Sequence, residues 1–184
     1  MKSEMHAAGF LLLFLFLFVF FSSSCSAGAT RDRAEYTKKN FSVEISGSID
    51  EKEIGAILHS RPDARDEEPR ALVCFTYPKS LCDIITTVSA EGECNIRLGD
   101  IVTDAEGLDG LVVPFRPVFE MGEIYSVTVD GDGCDKVRIC DENCDLIYVF
   151  EQNSSAPTRI YGDFWGKKID LILKNFSFDF DFGQ

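Results

Sequence analysis

Histidine is scarce in this chain: two occur in 184 residues, His6 and His59, and tryptophan occurs once. Nucleophilic catalysis needs a base beside its nucleophile and a third group to orient it. Beyond residue 27 only His59 is left for that work, and its neighbour Ser60 points elsewhere on any regular backbone. No nucleophile elbow and no His-pair metalloprotease motif is present. Basic residues are also few, 18 Lys and Arg against 31 Asp and Glu, for a formal charge of −13. Such a balance repels phosphate backbones and anionic lipid, so nucleic acid is excluded as a partner. Long apolar runs are missing after the first 27 residues, and the C-terminus alternates Phe with Asp and Ser. The expectation is therefore a chain with neither a stable membrane span nor a lipid-anchor tail.

What is present begins with a leader. Lys2 is followed by the apolar run Phe10–Phe21, then by Ser22-Ser23-Ser24-Cys25-Ser26-Ala27. Charged start, apolar middle and small residues at the end make a secretory signal peptide over residues 1–27. The run covers 12 residues, and a membrane span needs roughly 20. The expectation is a secreted, extracellular product. Its six remaining cysteines, Cys74, Cys82, Cys94, Cys134, Cys140 and Cys144, are even in number. In an oxidising compartment that predicts a disulfide framework, in which Cys140 and Cys144 each pair with Cys74, Cys82 or Cys94. A zinc site is the lesser reading of the same residues, because the spacings lack two close Cys pairs.

Phe41–Ser46 alternates strictly and predicts a strand with Phe41, Val43 and Ile45 on the buried face. Ser48-Ile49-Asp50-Glu51 has the capping-box pattern, which predicts a short helix to about His59. His59 then reads as a surface cation at that helix's C-terminal end. Ser60–Arg70, with two prolines and seven charges, reads as an exposed linker. Residues 28–70 thus form an N-terminal strand, helix and linker, and 71–184 a disulfide-bridged β domain. Within it, strands are predicted at Leu72–Tyr77, Asp83–Val88, Asn95–Val102, Leu111–Phe115, Ile124–Asp130, Lys136–Cys140, Leu146–Phe150, Thr158–Tyr161, Lys168–Leu173 and Phe176–Phe182. Many short strands with Gly and Asp turns predict an antiparallel β-sandwich, or alternatively a barrel.

Three glycosylation sequons start at Asn40, Asn153 and Asn175. Strand parity puts Asn40 and Asn175 opposite the apolar stripes, and Asn153 lies in a polar loop, as acceptor sites require. Phe176, Phe178, Phe180 and Phe182 share one face and read as core. Asp130-Gly131-Asp132-Gly133-Cys134-Asp135 imitates the opening of a calcium loop, with Asp141 where a glutamate belongs. A calcium site at Asp130, Asp132, Asp135 and Asp141 is therefore weighed against two acidic hairpin turns. No other cofactor is implied.

Thr103-Asp104-Ala105-Glu106-Gly107 followed by Tyr125-Ser126-Val127-Thr128-Val129-Asp130-Gly131-Asp132 has three cysteines before it and three after. This arrangement, over residues 71–145, resembles the secreted plant olive-pollen-allergen and extensin-like family. The resemblance implies a transthyretin-like or immunoglobulin-like β-sandwich and a role in the extracellular matrix, with no catalytic residues to carry over. The function expected is a secreted, non-enzymatic glycoprotein that binds protein or polysaccharide at a cell wall, matrix or cell surface. Two alternatives remain: a small hydrolase with paired carboxylates, and a protease inhibitor presenting the arginines of Ser60–Arg70.

Overall fold

Alternating sequence makes a β protein here, but one with a different plan from the one expected. The computed structural model describes residues 33–65, 68–104 and 109–178. The leader, Phe180 and Phe182 lie outside them. Eleven strands run β1 (Phe41–Ile49), β2 (Lys52–Ser60), β3 (Ala71–Tyr77), β4 (Ile84–Val88), β5 (Cys94–Leu98) and β6 (Ile101–Asp104), then β7 (Ser126–Val129), β8 (Asp135–Asp141), β9 (Cys144–Phe150), β10 (Arg159–Phe164) and β11 (Lys167–Phe178). Where a two-sheet sandwich or closed barrel was expected, hydrogen bonds join all eleven into one open antiparallel sheet, ordered β6-β5-β4-β3-β2-β1-β11-β10-β9-β8-β7. Among the described residues no helix is long and apolar enough to cross a membrane.

The capping-box reading is corrected. Asp50 and Glu51 have φ of 48° and 66° and form a two-residue turn, with Ile49 facing Lys52 across the β1–β2 ladder. Positive φ at both central residues is the type I′ geometry, whose twist matches that of the strands it joins. Ser48-x-x-Glu51 thus straddles a hairpin, and the β-branched Ile54 and Ile57 that follow favour the strand. His59 lies half-buried on β2 between Ser42 and Leu72, so it is no helix-end cation.

The segment Ser60–Arg70 is not a tether between two units. Arg61 N–H donates to the Arg70 carbonyl (2.7 Å), its guanidinium meets Glu68 (2.9 Å), and β2 pairs with β3 on either side. The predicted strand Asn95–Val102 is split by a turn at Gly99-Asp100. Leu111–Phe115 is no strand either. The chain there makes two 3-10 turns, Asp109–Leu111 and Val113–Phe115, and then helix α1 (Arg116–Phe119). Pro114 and Pro117 explain this, since proline starts helical turns readily and cannot donate to a ladder.

One face of the sheet carries the core. Phe41, Val43, Leu58, Val73, Val137, Tyr148, Phe150, Ile160 and Leu171 are all buried on it, and Val112, Phe115, Val118 and Phe119 pack over them. Each such aliphatic or aromatic side chain contributes ~1.5–3 kcal/mol by leaving water. The Tyr148 hydroxyl donates to the Pro117 carbonyl (3.0 Å), which ties α1 to the sheet. Phe176 and Phe178 join this core, with ring centroids 5.4 and 6.5 Å from Phe41. They can do so because Asn175 has φ of 55° and the β1–β11 register slips between Glu44 and Ser42. That bulge reverses the inward set from Ile169, Leu171 and Leu173 to Phe176 and Phe178.

Two glycines let the sheet coil. At Gly47 (φ 154°) a Cβ would lie 2.0 Å from the Asp170 carbonyl oxygen, and at Gly162 (φ 138°) 2.1 Å from that of Asp145. No other residue fits either place. The coil brings distant strands together: Trp165, between β10 and β11, lines the same pocket as Gly92–Cys94, although five strands lie between β10 and β5.

Candidate functional site

The acidic residues proposed for calcium do not converge. Asp130 pairs with Lys136 (2.6 Å), and Asp135 pairs with Arg33. Asp141 sits at the far end of β8, accepting from the Asn143 N–H (2.9 Å) in the next turn. Seven strand residues separate Asp135 from Asp141, inclusive, which is about 20 Å of chain. Among the described residues no group of three or more His, Cys, Asp or Glu is poised to hold a metal ion.

Among the described residues no disulfide joins any two of the six cysteines. Cys74 lies on the outer face of β3, and Cys82 Sγ is 3.2 Å from the Thr76 carbonyl oxygen on the same strand. Cys140 and Cys144 flank the β8–β9 turn but face opposite sides of the sheet, Cys140 exposed and Cys144 buried. Burial, and then the carboxylates of Asp141 and Asp145, push the Cys144 thiol up to about 11. Burial also raises Cys74. Neither is an activated nucleophile, which would need a lowered value.

The sequon asparagines are all accessible. Asn153 and Asn175 are exposed at positive φ, and Asn40 is half-exposed just before β1. The Asn175 amide also donates to the Glu44 carboxylate (2.8 Å).

The outer face is a grid of solvated pairs. Arg138 meets Asp145 through two bonds of 2.7 Å, and Arg159 meets Asp170 at 2.8 and 2.6 Å. An open groove of about 820 Å³ crosses it between Tyr77 and Lys174. Its carboxylates are largely engaged, Asp170 by Arg159 and Glu44 by Asn175.

Two recesses lie at the margins of the core face. The first is an apolar cleft of about 260 Å³ beneath the Asp50–Glu51 turn. Ile49 and Ile54 come from the β1–β2 hairpin, Phe75 from β3, Pro78 and Leu81 from the turn after it, and Leu111 and Phe115 from the segment that covers the sheet. Asp50, Lys52, Glu53 and Lys167 form its rim. Asp50 is held below the usual carboxylate range by the Lys168 backbone N–H (3.0 Å) and by the Lys167 ammonium (3.1 Å). Periodicity could not reveal this cleft, because its walls read as ordinary core positions at the ends of separate elements.

The second recess, about 290 Å³, is lined by Gly92, Glu93, Cys94, Val113, Arg116 and Trp165. Arg116 donates from Nη2 to the Gly92 carbonyl (2.8 Å), and its Nε is buried without a hydrogen-bond partner. Trp165 stands 63% exposed at its mouth.

No protein-family model and no curated protein matches this chain. Solved structures do. A crystal structure of an uncharacterized conserved protein from Thermus thermophilus aligns with a TM-score of 0.51 at 17% identity, covering 83% of this chain and 86% of that one. A "putative outer membrane lipoprotein-sorting protein domain" from Vibrio parahaemolyticus aligns at 0.38 and 9% identity, covering 82% of this chain and 91% of that one. The likeness to the Thermus protein is one of fold: a mainly β chain built on an open antiparallel sheet.

Proposed function

We propose that this chain is a secreted, non-enzymatic glycoprotein that works by binding, with the apolar cleft under the Asp50–Glu51 turn as its ligand site. The observation that carries the reading is the convergence of apolar side chains from four separate elements on one recess with a charged rim. Ligand sites have this composition, apolar walls with a few polar groups that fix orientation. The rim holds two cations and two anions, so the ligand is an apolar or amphiphilic molecule without a strong net charge. Secretion rests on the leader, and a place at a wall, matrix or cell surface rests on the resemblance to the pollen-allergen and extensin-like family. The sandwich expected from that family becomes, in this reading, one sheet coiled over the 109–119 segment.

Glycans at Asn40, Asn153 and Asn175 and oxidation of the six cysteines belong to the same proposal. Intact mass of secreted material, with and without thiol alkylation, reports both. Loss of residues 1–27, added glycan mass and no reactive thiol support it, and an unglycosylated chain with open thiols would sink it. The cleft is tested with the uncharged probe N-phenyl-1-naphthylamine. We expect saturable fluorescence that a fatty acid displaces and that Leu81→Trp, which fills the cleft, abolishes while the circular dichroism is kept. Binding unchanged by Leu81→Trp would move the site elsewhere.

A further inference from the structure

The single tryptophan is held in a conformation that a tryptophan does not favour. Phe164 faces Lys167 across the β10–β11 ladder, so Trp165-Gly166 is a two-residue turn, with φ of 51° and 71°. This is again type I′, whose first central position is normally filled by Asn, Asp or Gly, because a larger side chain strains the left-handed backbone. Strain kept at a surface position points from the geometry toward a role for the side chain. The indole is not packed away in return: it is 63% exposed. Its own N–H backbone group is tied to the Asn143 carbonyl (2.7 Å), which fixes the tip against the neighbouring hairpin.

Beside it lies a recess with the complement of a sugar ring. Val113 supplies an apolar wall, the Arg116 guanidinium a row of donors braced on Gly92, and the exposed Glu93 carboxylate an acceptor. A pyranose with equatorial hydroxyls has C–H faces that lie flat on an aromatic ring and hydroxyls round its edge that both donate and accept. Arg116 and Glu93 offset each other in charge, which favours a neutral sugar over a uronate. The volume, about 290 Å³, suits one ring, at the small end of ligand pockets (~300–1,000 Å³).

We infer that Trp165, Arg116 and Glu93 form a subsite for a neutral, equatorial pyranoside, such as one unit of a β-linked glucan. This goes beyond the cleft reading and does not depend on the cleft being filled. With one tryptophan in the sequence, intrinsic fluorescence reports on the subsite alone. Titration of the whole mature chain with cellotetraose is expected to give a saturable blue shift, and with trigalacturonate a weaker one or none. Calorimetry on Trp165→Asn should show about a tenfold loss of affinity, the size of one aromatic contact, together with a raised thermal midpoint. Trp165→Tyr should retain part of the binding. A flat emission titration with both sugars overturns the proposal, and so does a Trp165→Asn variant that binds cellotetraose as well as the parent. A Trp165→Asn chain with a lowered thermal midpoint also overturns it, since the indole would then be structural.

Discussion

Two hairpins at the same end of the sheet are built alike and finished differently. Each has a glycine forced by close backbone approach, two further residues, and a type I′ tip: Gly47 then Asp50-Glu51, Gly162 then Trp165-Gly166. In the first, the tip is anchored. The Asp50 N–H donates to the Lys168 carbonyl (2.8 Å), and its carboxylate accepts from the Lys168 backbone and the Lys167 ammonium. In the second, only the backbone is anchored, and the side chain is left in water. The scaffold is therefore not what decides the fate of a tip. The residue placed at its first left-handed position is, with aspartate closing the hairpin on its neighbour and tryptophan presenting a surface.

The most damaging way to break this symmetry is at the glycines. Gly47→Ala and Gly162→Ala each drive a Cβ into a carbonyl of the next strand, and each should cost ~3 kcal/mol or more, measured by urea unfolding. Equal losses in both would show that the two kinks are equivalent. Asp50→Ala should come next, lowering the thermal midpoint by less than either glycine change. Trp165→Asn should act in the opposite direction and stabilise by ~1 kcal/mol, the strain relieved at a left-handed position. Glu51→Gly should gain a similar amount, because the second central position of the first tip also carries a residue unsuited to its φ. The smallest effect is in acid. The Asp50 pKa is depressed in the folded chain, chiefly by the Lys168 N–H and then by Lys167. Its contribution is therefore complete above the unfolded aspartate value, ~3.9, and is lost as pH falls through the lower folded value. Asp50→Asn should flatten that acid limb of the stability curve, and Trp165→Asn should leave it unchanged.

The strand pattern was legible wherever one face is buried and the other wet. Phe41, Val43 and Ile45 alternate and are buried as expected, and Phe176 with Phe178 faces the core. What failed were places where two physical signals share one spelling. Ser-x-x-Glu caps a helix or straddles a turn, and the β-branched residues after it, together with the bonds from Asp50 to Lys168 on β11, more than a hundred residues away, favour the turn. Leu111–Phe115 is apolar enough for a strand, but Pro114, with Pro117 just after it, made it a lid of helical turns instead. The apolar cleft was illegible for a related reason. Its walls come from chain segments that meet only after the sheet has coiled, and no local period records such a meeting. Trp165 was visible from the start as a lone indole, and its left-handed backbone was not.

The order of strands has a consequence for how the molecule comes into being. The centre of the sheet is the β1–β11 pair, in which Phe41 meets Phe178 and Ile49 meets Ile169. A growing chain therefore finishes β2 to β6 on one side and β7 to β10 on the other before the strand that joins them exists. Such non-local pairing makes folding slow, because loop-closure entropy is lost before the contacts that reward it form. Until β11 emerges the two half-sheets have only exposed edges to offer, at β1 and at β10, and those are the edges most open to wrong partners. A stop between Phe164 and Lys167 would not trim a rim from this protein. It would leave two halves with no seam.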